Sequence, residues 1–210
     1  MAQYAQSATH AEPVESAGGI ANAAPLGLSA FALTTAVLSC VNAGFIVPST
    51  AVNIFIGLAL FYGGGVQILA GMWEFKRGNV IPATAFSSYG GFWVATAVIF
   101  IPGFGILQAL NSAGTLHQAL GLFFLCWAIF TALVFLAALR TNIALLLVLG
   151  FLFLTYLLLT IAQLMGGNLV TTMIGGWLGI VTALVAWYTA LADMLVSANG
   201  AFRLPVGHLG

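Results

Sequence analysis

The chain has 210 residues, of which 62% are hydrophobic and only 4% are Asp, Glu, Lys or Arg, and its formal net charge is zero. So few charges exclude an ordinary soluble globular domain, and the lack of net positive charge argues against a nucleic-acid partner. The composition predicts an all-α polytopic membrane protein whose apolar helices cross a lipid bilayer.

The N-terminal residues 1–24 differ from the rest of the chain. They contain Glu12 and Glu15 but no Lys or Arg, and they hold no long apolar run. A cleaved signal peptide needs a basic start followed by an apolar centre, and this segment has neither. We therefore expect residues 1–24 to form a flexible cytoplasmic tail.

Six apolar runs follow, each close to the ~20 residues that a helix needs to cross a bilayer. Pro25 opens the first run, where its missing N–H costs nothing, and Arg140 with Asn142 marks the short turn between the fourth and fifth. The sequence predicts a transmembrane domain over residues 25–197 and a cytoplasmic C-terminal tail over residues 198–210. The predicted spans cover about 26–46, 51–73, 83–101, 116–139, 143–164 and 172–196.

The basic residues of the chain all fall on one side of this arrangement. Lys76 and Arg77 lie between spans two and three, Arg140 lies between spans four and five, and Arg203 follows span six, whereas the other gaps hold no Lys or Arg. The positive-inside rule makes the face that carries these residues cytoplasmic. We expect a multi-pass protein of the plasma or inner membrane with both termini in the cytoplasm.

Small residues recur at helical spacing in three of the spans, which permits close contact between helix backbones in lipid. Gln67 lies within one of these stripes. An amide is costly against lipid, so its side chain is expected to face protein or a hydrated path. The stripes are Ala59, Gly63, Gln67 and Gly71 on span two, Ser87, Gly91 and Ala95 on span three, and Gly175, Gly179 and Ala183 on span six.

The distribution of charged and metal-binding residues excludes several functions. No Lys, Arg or Glu lies near the middle of a predicted span, which argues against a voltage sensor and against a retinal-binding pump. His10, His117 and His208 form no cluster, and Cys40 and Cys126 are interpreted as small apolar packing residues. The sequence predicts no metal site, no cofactor and no catalytic site, so an enzyme is not expected.

Neutral hydroxyl and amide side chains remain, interleaved with aromatic and aliphatic residues in several spans. Hydroxyls, amides and helix N-termini can hold a small anion without a full positive charge, and aromatic side chains can form a narrow apolar gate. The residues alone therefore predict a channel or transporter for a small solute that is weakly polar or singly charged.

Two stretches of the chain carry distinctive motifs. Residues 22–28 read Asn-Ala-Ala-Pro-Leu-Gly-Leu, and Phe31 follows three residues later. Residues 61–93 hold a longer ordered series, with Glu-Phe-Lys-Arg-Gly-Asn at 74–79 and Thr-Ala-Phe-Ser-Ser-Tyr-Gly at 84–90.

These motifs resemble the acetate uptake transporter family, which includes bacterial succinate–acetate permeases and yeast ammonia/acetate exporters. The family signature has proline where this chain has Ala23. A weaker match covers residues 176–193, where Asp193 replaces the usual Glu of the family, and the segment 204–207 also fits. The resemblance extends over about residues 22–207.

The resemblance implies six transmembrane helices per subunit and a homohexamer with one pathway in each protomer. It implies that the substrates are acetate, other small monocarboxylates and succinate. The Phe, Tyr and Leu of the family's narrow constriction correspond here to Phe31, Tyr89 and Leu152. The other residues expected to line the pathway or bind substrate are Asn22, Thr34, Thr35, Gln67, Thr84, Ser88 and Gln163.

The sequence leaves open whether such a protein is a channel or a proton-coupled carrier. One alternative is a channel for another small solute such as ammonia, and another is a membrane sensor or scaffold that transports nothing. Glu74 is interpreted as an interfacial charge paired with Lys76 or Arg77, and Asp193 as a span-end charge or part of a proton path.

Overall fold

A computed structural model describes residues 19–45 and 53–209. Within these ranges, six helical segments are long and apolar enough to cross a membrane, which confirms the predicted all-α fold. Most of the predicted N-terminal tail lies outside the described residues. The helices are α1 (Ala24–Asn42), α2 (Asn53–Leu60), α3 (Gln67–Arg77), α4 (Val80–Phe100), α5 (Ile106–Ser112), α6 (Leu116–Ala137), α7 (Ile143–Leu164) and α8 (Leu169–Ser197).

The second span is a composite of α2, a π-helical segment (Phe61–Val66) and α3. The π-helical segment contains three consecutive glycines, and its wider turn was not predicted from the sequence. A Cβ atom at Gly63 would lie 2.5 Å from Oγ1 of Thr34, so the glycine lets α1 approach this segment closely. Segments of this kind are frequent at functional sites.

Several helix ends differ from the predicted boundaries for local reasons. Glu74 and Arg77 were expected just beyond span two, but they belong to the last turn of α3, which ends at Gly78 with a left-handed φ of 80°. The α4 helix starts at Val80 rather than at Ala83, since a proline is tolerated in the first helical turn. The predicted end of span one, residue 46, and start of span two, residue 51, lie outside the described residues.

The spans pack through small residues, as two of the three predicted stripes indicated. On α8, Gly179 of the predicted stripe lies so close to α1 that a Cβ atom there would collide with the side chain of Ser39. The stripe predicted on span three is only partly right: Ser87 packs closely against Gly71, but Gly91 is exposed with open space beside it. Gly90 forms the close contact instead, with a Cβ position 2.5 Å from Ile68.

The helix ends that carry Arg77, Arg140 and Arg203 gather on one face of the bundle, here called the cationic face. The C-terminal segment crosses this face and accepts backbone hydrogen bonds from the start of α7. The amide of Ile143 donates to the carbonyl of Gly207 at 2.8 Å. These bonds satisfy N–H groups that have no partner within the helix.

Candidate functional site

A cavity of about 510 Å³ extends inward from the cationic face, and we call it the vestibule. The starts of α1, α4 and α7 form its walls, together with the last turns of α8. Its mouth contains Asn79, Asn142 and Asp193, and apolar side chains line its deeper part. No Lys or Arg lines it among the described residues, so it offers a carboxylate no fixed positive charge.

A second, smaller cavity of about 30 Å³ lies next to the vestibule, and we call it the chamber. That volume is enough for one or two water molecules. Five residues line both cavities, so the two spaces are neighbours separated only by these side chains: Leu28, Ala85, Phe86, Leu145 and Leu149. The chamber is completed by Phe31, Gln67, Val148, Leu152 and Tyr89, so the structure brings the three predicted constriction residues to one place.

The constriction is formed by rings and aliphatic side chains that are almost completely buried. Phe31 and Tyr89 have ring centroids 5.9 Å apart with planes inclined at 47°. Their exposed fractions are 4% and 3%, and that of Leu152 is 3%. The Tyr89 hydroxyl donates to Oγ1 of Thr131 at 3.0 Å, so its proton is already engaged and its oxygen can still accept.

Gln67 lies beside this constriction and is completely buried. Neither Nε2 nor Oε1 of its side chain has a hydrogen-bond partner among the described residues. An amide that is buried without partners costs about 1–3 kcal/mol for each group left unsatisfied. Because Gln67 also lines the chamber, the amide can bind a polar solute there.

The other predicted pathway residues lie at different levels of the bundle. Thr34 is buried and donates to the carbonyl of Ala30 in its own helix at 2.9 Å, while Oγ1 of Thr35 is buried with no partner among residues 19–45 and 53–209. Thr84 and Ser88 are half-buried on α4 and line neither cavity.

Gln163 lies at the opposite end of the bundle from the cationic face. Its Oε1 is 2.9 Å from Nδ1 of His117. The structure therefore groups Gln67 with the constriction residues and leaves Gln163 well away from them.

Asn22 belongs to a polar cluster that the sequence did not predict. Glu74 is completely buried and accepts hydrogen bonds from the backbone N–H of Ala23 at 2.9 Å, from Arg77 at 2.7 Å and from Asn79 at 2.6 Å. Arg77 also donates to Oδ1 of Asn22 at 2.7 Å. The expected pairing of Glu74 with Arg77 is present, but the carboxylate is not at an exposed interface.

This cluster fixes the geometry of the vestibule mouth. It ties the residues just before α1 to the end of α3 and to the turn that leads into α4. Both Ala24 and Asn79 line the vestibule. The sequence signal was available in the motif at 74–79, where a Glu and an Arg three residues apart share one helix face.

The chain is similar to known proteins over most of its length. The profile of the GPR1/FUN34/yaaH family matches residues 5–210. The chain is similar to acetate permease A of Emericella nidulans, with 46% identity over 198 residues, covering 90% of this chain and 66% of that relative. It is similar to the succinate-acetate/proton symporter SatP of Escherichia coli, with 35% identity over 189 residues, covering 90% of this chain and 96% of that relative.

A solved structure shares the same fold. The structure titled as the bacterial acetate channel SatP matches with a TM-score of 0.80 and 35% identity, covering 89% of this chain and 99% of that chain. The present chain thus spans about two thirds of the length of the fungal relative and nearly all of the bacterial one.

Proposed function

This chain belongs to the GPR1/FUN34/yaaH family, and on that premise we propose that it carries acetate, related short carboxylates and succinate across a membrane. The observation that supports this most directly is that a chamber lined by Gln67 and the three constriction residues lies directly against the vestibule. Relatives named for acetate and succinate transport support the choice of substrate.

In this proposal the solute leaves water in two stages. It first enters the vestibule, whose volume of about 510 Å³ can hold a carboxylate with part of its hydration shell. It then passes Phe31, Tyr89 and Leu152 while the Gln67 amide donates a hydrogen bond in place of lost water. Thr34 and Thr35 follow one turn further along α1, whereas Asn22 acts at the mouth.

The solute can cross as a carboxylate or as the protonated acid, and each form meets a different obstacle. Moving a bare carboxylate through an apolar ring without a fixed cation costs several kcal/mol, whereas the protonated acid is neutral but scarce at pH 7. A ring that fills transiently with water solves the first problem, and cotransport of a proton solves the second. The bacterial relatives' names include both a channel and a proton symporter.

The proposal extends to orientation and assembly. The cationic face is placed in the cytoplasm, in a plasma or inner membrane, because all four basic residues lie toward it. The protein is proposed to form a homohexamer with one pathway in each protomer.

Flux of radiolabelled acetate into liposomes that contain the purified protein tests the function. We expect saturable uptake above that of empty liposomes, with succinate competing. Repeating the assay with and without an imposed pH gradient separates a channel from a proton-coupled carrier. Uptake of ammonia without acetate would support the alternative solute, and no flux of either would indicate a sensor or scaffold.

A further inference from the structure

Beyond the constriction, a cluster of aromatic rings fills the bundle. Phe92 is its centre, with ring centroids 5.3 Å from Tyr156, 5.1 Å from Trp127 and 5.6 Å from Phe123. Phe92 and Tyr156 are each 3% exposed. These rings are not needed to form the chamber, because they do not line it.

The position of this cluster follows from the direction of the helices. Both α4 and α7 start at the cationic face, so higher residue numbers on them lie further from it. Phe92 follows Tyr89 by three residues on α4, and Tyr156 follows Leu152 by four on α7. Residues so spaced share a helix face. The contact between Phe92 and Tyr156 therefore closes the same gap between α4 and α7 one turn further along.

In the described part of the chain, two buried polar atoms at the same level also lack hydrogen-bond partners. They are Oγ1 of Thr35, one turn beyond Phe31 on α1, and Nε1 of Trp93, one turn beyond Tyr89 on α4. Their residues are 5% and 3% exposed. An apolar packing core would not favour unpaired polar groups here, whereas a path that is hydrated when open would satisfy them.

We propose that Phe92 and Tyr156 form a second gate in series with the constriction, braced by the rings of α6. The inference rests on the proposed function, since a gate has meaning only if solute crosses the bundle. The solute would have to displace two closed layers in turn, with the Gln67 amide beside the first of them.

Two gates in series make a distinctive prediction about flux, because their resistances add. When both layers contribute similarly, removing either one raises acetate flux no more than about twofold, and removing both raises it about tenfold or more. The variants are Phe31→Ala, Phe92→Ala and the double substitution. Phe100→Ala is the matched control, because Phe100 packs edge-on against Phe55 at 5.5 Å and lines neither cavity.

The assay is initial acetate efflux from liposomes at equal protein content, repeated with butyrate as a longer and bulkier carboxylate. We expect the double variant to exceed the product of the two single effects and to be the best conductor of butyrate. Phe92→Leu keeps most of the apolar volume and should shift flux in the same direction if Phe92→Ala does not fold.

Two results would overturn the second gate while leaving the proposed function intact. One is a Phe31→Ala variant that conducts as fast as the double substitution, since a single gate would then account for closure. The other is that Phe92→Ala changes acetate flux no more than Phe100→Ala does, both in the wild-type protein and in the Phe31→Ala background. Wild-type liposomes that conduct no more than empty ones would instead refute the proposed function.

Discussion

Replacing Gln67 with Leu should make the protein more stable and less active at the same time. The amide is completely buried, and neither of its polar atoms has a partner within the described ranges. Each unsatisfied group costs about 1–3 kcal/mol, and leucine has a similar volume with no polar atom. After some loss from imperfect packing, we expect a gain of about 1–3 kcal/mol in the free energy of unfolding.

The functional loss follows from the same atoms. A hydrogen bond to a charged group is worth about 1.5–3 kcal/mol, and each 1.4 kcal/mol changes a rate or binding constant about tenfold. Acetate flux through Gln67→Leu should therefore fall by at least about tenfold. Thr182→Val is the control, since Thr182 is equally buried but donates to Leu178 of its own helix at 2.9 Å.

Thermal unfolding in detergent and acetate flux in liposomes measure the two effects on the same preparation. For a chain of this size, about 1–3 kcal/mol corresponds to an increase of about 2–12 °C in the unfolding midpoint. The reasoning would be refuted by a Gln67→Leu protein that is less stable than wild type and conducts acetate at the wild-type rate. That combination would mean that Gln67 contributes only packing.

Four further outcomes are expected. Glu74→Gln should lower stability by about 3–5 kcal/mol in thermal unfolding, whereas Lys76→Gln, which alters an exposed neighbour, should change it by less than about 0.5 kcal/mol. Gly63→Ala should destabilise by about 1–3 kcal/mol, because its Cβ would meet a stiff threonine on α1; equal stability would show that the two helices can separate freely. With the native cysteines replaced, Ser112→Cys should react with an impermeant reagent from outside and Arg203→Cys only after permeabilisation, and the reverse would refute the orientation. Native mass spectrometry in mild detergent should give a hexamer, and a monomer would refute the assembly.

The fold could be predicted from the sequence because hydrophobic runs and one-sided basic residues report directly on membrane spans. The turn at Arg140 and Asn142 was also predictable, and there the Asn142 side chain accepts from the backbone N–H of Leu145 at 2.8 Å. The π-helical segment could not be predicted, because its extra residue does not change the hydrophobic pattern of the span. Its glycines predicted only close packing.

The site was predictable only where a motif anchored it. Phe31 and Tyr89 lie in well-defined motifs, and Gln67 was identified because an amide is costly in lipid. The burial of Glu74 was missed because charge at the end of a span normally faces water. Its hydrogen-bond partners include two nearby residues, Arg77 and Asn79, and one distant residue, Ala23, which is 51 residues away in the chain.

Among the described residues no Lys or Arg lines the proposed path, which suits the proposed function, because the solute must be released. Arg77, which precedes the vestibule residues Gly78 and Asn79 in the chain, is held by Glu74 and Asn22 and does not line the vestibule. A free cation in the chamber would bind a carboxylate more tightly, but each extra 1.4 kcal/mol would slow its release about tenfold. A neutral amide instead compensates part of the lost hydration and lets the solute leave. The buried Glu74–Arg77 pair thus both fixes the mouth and keeps positive charge out of the path.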